Sequence, residues 1–161
     1  MARSKATSKQ LAEDDARTTS MGLFNTAEAY WRAAGALAKN KLKGGFAAKP
    51  VEGLYFHAIE LYLKALLRQR YDVYALQAFR HDVAQLGREA ETLGASLKDK
   101  DKTVLKTLAE RDVIIETRYV GTGSKSGRPT FKELEQTCRS LRTTVGGALG
   151  ESGFPIRLPK P

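Results

Sequence analysis

The sequence predicts an all-α fold, an antiparallel bundle of four to five helices, from two observations. Apolar residues recur at three- and four-residue spacing over long segments, which indicates helices with one buried face. No segment alternates apolar and polar residues clearly enough to indicate a strand. Because the chain has 161 residues, 42% of them hydrophobic and 28% charged, it fits one domain with one core.

Five helices are predicted, each bounded by a glycine, a proline or a capping residue. They span 26 to about 44, 51 to about 70, 83 to 93, about 101 to 119, and a last segment with an apolar stripe from 131 to 145. The second is apolar on most of its circumference, which places it at the centre of the bundle. We expect Asp99 or Asp101 to cap the fourth helix. For the aromatic-rich segment 71–80 we favour a loop over an extension of the second helix.

These helices define one domain between two tails. We expect residues 1–20 to form a frayed N-terminal tail, residues 21–149 the helical domain, and residues 150–161 an irregular C-terminal tail. The stripe on the last helix is typical of a core-facing surface, although it would also suit a dimer seam. We favour the core, because a single stripe is normally satisfied within its own domain.

Composition and charge limit the classes of function. The net charge of +9 and the pI of about 9.7 would attract phosphate-rich partners, but dispersed Lys and Arg also serve solubility alone. No apolar run approaches the roughly 20 residues that cross a bilayer, and the start lacks a signal peptide, so we expect a cytoplasmic protein. The lone Cys138 excludes an internal disulfide and is expected to be buried. We expect no metal and no cofactor.

Four ionisable residues line one face of the second predicted helix, since His57, Glu60, Lys64 and Arg68 follow each other at spacings of three, four and four. One interpretation is a solvated face with a Glu60–Lys64 ion pair. The other is a cleft in which Lys64 and Arg68 bind phosphates and His57 a base or sugar.

Two further pairs stand at predicted helix ends. Asp82 is expected to cap the third helix, with His81 in a local hydrogen-bond network or at a ligand. Arg118 beside Tyr119 suits phosphate binding with base stacking, or a helix C-terminus where a cation is favoured.

Read in order, these segments resemble the HEPN family of small helical nucleotide-binding domains, over about residues 28–119. The resemblance lies in Ala58–Leu67, which holds Glu60 and Lys64, in His81-Asp82-Val83, and in Thr117-Arg118-Tyr119. Val83 replaces the family's usual leucine, and Val120 stands where proline is common. The resemblance implies homodimerisation and, through its nucleotidyltransferase-associated branch, a toxin–antitoxin or defence context with a minimal nucleotidyltransferase as partner.

The ribonuclease motif of that family is missing. HEPN ribonucleases have Arg, four to six residues, then His, which supplies a cation and a proton carrier. Upstream of His57 the corresponding residues are 50–52, and upstream of His81 they are 74–76; none is arginine. The glycine-rich segment 121–127 also lacks the spacing of a phosphate-binding P-loop.

The sequence therefore favours a non-catalytic HEPN-like module that binds a nucleotide or RNA phosphate group. The predicted ligand-binding residues are Lys64, Arg68, His81, Arg118 and Tyr119, supported by His57, Glu60 and Asp82. The alternative is a helical structural or interaction protein, a homodimer without a nucleotide ligand. A weaker alternative is a ribonuclease with a non-standard active site.

Overall fold

The computed structural model describes residues 8–40, 48–111 and 127–156. Within these ranges it contains helices and no strand, which confirms the all-α prediction. The helices are α1 (Ser8–Arg17), α2 (Ser20–Lys39), α3 (Ala48–Leu67), α4 (Val73–Ala78), α5 (Val83–Thr92), α6 (Asp99–Glu110) and α7 (Phe131–Glu151). None of these described helices is long and apolar enough to cross a membrane.

Helix α3 forms the centre of the bundle, as its nearly uniform apolar surface predicts. It packs against α2, α5 and α7, and twelve of its residues are buried. Ile59, Tyr62 and Leu63 are completely inaccessible to solvent. Since burying one large apolar side chain contributes about 1.5–3 kcal/mol, α3 provides much of the driving force for assembly.

The stripe on α7 faces the core. Leu134, Cys138, Leu141 and Val145 are each fully buried, so the prediction of a core surface is confirmed over that of a dimer seam. Burial raises the pKa of the Cys138 thiol well above its usual range, and the residue packs as a small apolar group.

Three predicted boundaries are wrong. The expected tail over residues 1–20 contains a helix, α1, and α2 already begins at Ser20, where Thr19 caps it by accepting a hydrogen bond from the Gly22 amide at 3.0 Å. The expected loop 71–80 contains α4, because Asp72 accepts from the Ala75 amide at 2.7 Å. Short capping contacts thus start helices where apolar periodicity alone is weak.

The N-terminus of α6 also differs from the prediction. Neither Asp99 nor Asp101 is its cap; Lys98 occupies that position and makes no side-chain capping hydrogen bond. Helix α6 ends at Glu110, with Arg111 as its C-cap, so the predicted end near Tyr119 is wrong for this helix; residues 112–126 lie outside the described residues. In contrast, α5 matches the prediction, since the Asp82 carboxylate caps it at 2.8 Å from the Gln85 amide and Gly94 follows its end with φ of +93°.

Helix α6 is held against α5 at short range. A Cβ atom on Gly87 of α5 would come within 2.7 Å of the Leu105 side chain on α6, so the absence of a side chain allows the two helices to approach. Lys102 of α6 also donates to Glu91 of α5 at 2.7 Å. This contact fixes the position of α6 opposite α7.

A buried carboxylate joins the three longest described helices. Glu28 of α2 is 8% exposed and accepts from the Tyr62 hydroxyl of α3 and from Arg142 Nε of α7 at 2.7 Å. Burial, and then the bond to Glu28, raise the pKa of Tyr62 and keep its hydroxyl a donor. The exposed Arg32 adds a longer contact of 3.4 Å. Glu28 therefore fixes the relative register of α2, α3 and α7.

Replacing Glu28 by alanine is expected to destabilise the fold by about 3 kcal/mol, because it leaves the Arg142 guanidinium buried without its counterion. The change is measured by urea denaturation followed by circular dichroism. Arg32→Ala serves as the control. Its side chain is 77% exposed, so removing that contact should cost less than about 1 kcal/mol. Equal losses for the two variants would contradict a structural role for the buried pair.

Candidate functional site

The ionisable groups spaced along one face of α3 surround a buried acid and do not line an open cleft. Glu60 is 4% exposed. It accepts from Lys64 Nζ at 2.5 Å and lies 3.1 Å from His81 Nδ1, which the turn before α5 brings to α3. His57 Nδ1 lies 4.0 Å from the same carboxylate. Glu60 is thus surrounded by the groups that the sequence proposed as ligand contacts.

Lys64 is fixed by a second contact. Its Nζ donates to the Arg80 carbonyl at 3.0 Å. Arg80 has φ of +50°, a left-handed conformation that costs about 1–2 kcal/mol for a residue with a side chain. The hydrogen bond from Lys64 offsets part of that cost and holds the turn that carries His81.

Lys64 and His81 therefore lie at the same carboxylate, but this shared partner is internal. A buried carboxylate requires hydrogen-bonded or charged neighbours, and Lys64 and His81 supply them. The interpretation of a solvated face is wrong for Glu60 and for Lys64, whose side chain is 16% exposed; the His81 side chain keeps 56% exposure. The local charge of Lys64 is cancelled by Glu60, which weakens its suitability for phosphate.

Arg68 is used inside the fold as well. Its guanidinium donates to the backbone carbonyls of Thr18 at 2.7 Å, Asp15 at 2.9 Å and Tyr71 at 2.9 Å. The Asp15 carboxylate lies 3.0 Å from the same guanidinium and accepts from the Val73 amide at 2.9 Å. Arg68 therefore fastens α1 to the end of α3 and the start of α4. This explains why the predicted N-terminal tail is partly helical.

The remaining predicted residues divide into two groups. Asp82 caps α5, as expected, and the His57 ring lies 5.3 Å from the Tyr30 ring on α2. Arg118 and Tyr119, together with segment 121–126, lie outside the described residues.

A groove between α6 and α7 contains a different set of polar residues. One part has a volume of about 560 Å³ and the adjoining part about 790 Å³. Both parts include Lys100, Asp101 and Gln136. The carboxylates of Asp99 and Glu133 also line it, as do hydroxyl groups from Thr103, Thr130, Thr137, Ser140, Thr143 and Thr144.

Three exposed lysines surround this groove, namely Lys98, Lys100 and Lys132. None forms an ion pair with another residue in the described ranges. A fourth cation, Arg139, is 3.2 Å from Glu135 and stacks over the Trp31 ring at 5.8 Å. The lysines therefore differ from Lys64 and Arg68 in having no internal partner.

The two helix N-termini beside the groove differ in their capping. At α7, Thr130 and Glu133 form a reciprocal capping box, and its hydrogen bonds lower the pKa of Glu133. At α6 no side chain caps the free backbone amides, and these carry the positive end of the helix dipole. An anion at the start of α6 would meet this dipole and the nearby lysines, but also the carboxylates of Asp99 and Asp101 in the first turn of the helix.

Sequence reasoning missed this groove because its lysines come from two segments more than thirty residues apart. The alternation Lys98-Asp99-Lys100-Asp101-Lys102 was a visible signal, but it gives no indication of which side chains face α7. Across the part of the chain that the structure describes, no group of three His, Cys, Asp or Glu residues could hold a metal ion.

The structural role of Arg68 predicts a local effect of its removal. In Arg68→Ala, amide hydrogen exchange in residues 8–17 should rise at least tenfold, because α1 and the Thr18 that follows it lose two hydrogen bonds and an ion pair, while α3 and α7 keep their protection. Mass spectrometry of the exchanged peptides measures this. Arg70→Ala removes an exposed charge two residues away and should leave α1 unchanged. Unaltered exchange in α1 of the Arg68 variant would contradict the assignment.

Comparisons with known proteins found no matching protein family, no matching curated protein and no matching solved structure.

Proposed function

We propose that the chain is a non-catalytic module that binds a nucleotide or RNA phosphate group in the groove between α6 and α7. The observation that carries this proposal is the set of Lys98, Lys100 and Lys132 around the uncapped N-terminus of α6. The proposed binding site therefore differs from the one that the sequence predicted on α3, where Lys64 and Arg68 have internal partners.

Two physical features support phosphate as the ligand group. Lysine ammonium groups attract phosphate as point charges, and the first-turn amides of a helix donate to anions along the direction of the helix dipole. Here both occur on the same short segment, since Lys98 is the cap of α6 and Lys100 lies in its first turn. A phosphate at this place would contact side-chain and backbone donors together.

The non-catalytic interpretation is supported by the sequence, because neither histidine is preceded by an arginine at the ribonuclease spacing of four to six intervening residues. The environment of the histidines is consistent with that interpretation, because His57 and His81 both lie within 4.0 Å of Glu60 and outside the groove residues. A ribonuclease with a non-standard site would have to use other groups.

The assignments of family, partner and oligomeric state rest on the sequence resemblance to HEPN domains. Membership of the HEPN family, a minimal nucleotidyltransferase partner in a toxin–antitoxin or defence system, and homodimerisation remain predictions. So does the contribution of Arg118 and Tyr119 to ligand binding.

Substitution of the groove lysines tests their contribution to ligand affinity. In the double variant Lys100→Ala, Lys132→Ala, affinity for nucleoside triphosphates and for a short single-stranded RNA should fall at least tenfold at low salt. The slope of log affinity against log salt should also become shallower, because fewer counterions are exchanged. Isothermal titration calorimetry and fluorescence anisotropy measure these quantities.

The matched control is Lys9→Ala, Lys106→Ala, which removes the same net charge from exposed positions outside the groove. It should change affinity less than twofold. If both double variants lose affinity equally, binding is a non-specific effect of net charge. If the unmodified chain binds no nucleotide or RNA even at low salt, the proposed function is wrong and the interaction-protein alternative is favoured.

A further inference from the structure

Asp101 is an unusual buried acid in this fold. Its side chain lies at the base of both parts of the α6–α7 groove, and the residue is 4% exposed. Its Oδ2 atom has no hydrogen-bond partner in the structure. Among the described residues no cation forms an ion pair with it, whereas Glu28, Glu52 and Glu60 each have at least two basic side chains within 4.0 Å.

The fold tolerates this carboxylate because of its position. Asp101 lies in the first turn of α6, where the positive end of the helix dipole favours a negative charge. A carboxylate can accept several hydrogen bonds, and leaving a buried acceptor without a donor destabilises the fold. Asp101 therefore requires a hydrogen-bond donor, and a second anion beside it would not meet this requirement.

The surrounding lysines constrain what that donor can be. A phosphate attracted by Lys98, Lys100 and Lys132 would be repelled by Asp101, so phosphate cannot be the partner of the carboxylate. A ligand that has both an anionic group and an N–H donor can pair with the lysines through the first and with Asp101 through the second. Nucleotides of adenine, cytosine and guanine have this combination, because their bases carry an exocyclic amino group.

We propose that Asp101 accepts a hydrogen bond from the exocyclic amino group of a nucleotide base whose phosphates are held by the lysines around the groove. This inference rests on the proposed function and specifies the class of nucleotide. The groove is large enough, since its parts of about 560 and 790 Å³ lie within the range of about 300–1,000 Å³ for ligand pockets. Gln136 and Thr137 line it beside Asp101 and provide further polar contacts to a base.

The test compares nucleotides in which an oxo group replaces the exocyclic amino group, a change that also converts the neighbouring ring nitrogen from an acceptor to an N–H donor. Dissociation constants of the full chain are measured by calorimetry for CTP against UTP and for ATP against ITP, in which an oxo group replaces the amino group. The amino-bearing member of each pair should bind about tenfold more tightly, the size of one hydrogen bond to a charged acceptor. Equal affinities within both pairs would overturn the inference without any variant being needed.

Two variants then assign the preference to Asp101. In Asp101→Asn the amide both donates and accepts, so the preference for amino over oxo should fall below twofold. Asp99→Asn removes the same charge from a fully exposed side chain two residues away in the same groove and should keep the preference. A preference that survives Asp101→Asn would overturn the inference.

The outcomes separate this inference from the proposed function. If all four nucleotides bind equally and the Lys100→Ala, Lys132→Ala variant weakens them all, phosphate binding stands and amino recognition by Asp101 is wrong. If none of the four binds, both proposals are wrong.

Discussion

The pairing of buried carboxylates with donors is the constraint on which this structure depends. Four acidic side chains are nearly inaccessible to solvent in the described residues, Glu28, Glu52, Glu60 and Asp101. A buried charge is costly unless it has charged or hydrogen-bonded neighbours, which three of these four acids have and Asp101 lacks among the described residues. Glu28 therefore links α2, α3 and α7, Glu60 fixes the turn before α5, and Glu52 lies 3.8 Å from Arg111 and 3.6 Å from Arg128. These contacts determine how the helices register.

The same constraint determines which basic residues are available to a ligand. Lys64, Arg68 and Arg142 stand on helices that a basic protein might use for phosphate, yet each makes internal hydrogen bonds. The described ranges hold 19 of the 27 basic and 16 of the 18 acidic residues, so they account for +3 of the net charge of +9. Net charge alone thus says little about where an anion binds. The lysines around the α6–α7 groove are notable because none of them forms an ion pair with another residue of the described ranges.

Much of the fold follows from the sequence, and less of the site does. Apolar periodicity predicted α3 as the central helix and the core-facing stripe of α7, because both patterns are long. It missed α1 and α4, which depend on the contacts of Arg68 and on the Asp72 cap rather than on a stripe. The spacing that placed Glu60 beside Lys64 was informative, but burial decides whether such a cluster is structural or ligand-binding. The groove joins α6 to α7, so no local pattern could reveal it.

Our central proposal is that a phosphate-containing ligand binds at Lys98, Lys100 and Lys132 in the α6–α7 groove and not at the ionisable residues of α3. The most direct test is a nuclear magnetic resonance titration of the full chain with CTP, observing backbone amides. We expect the largest shift changes in residues 98–104 and 130–144, on the two sides of the α6–α7 groove, with small changes around Glu60. Largest changes in residues 57–68 and at His81 would contradict the account.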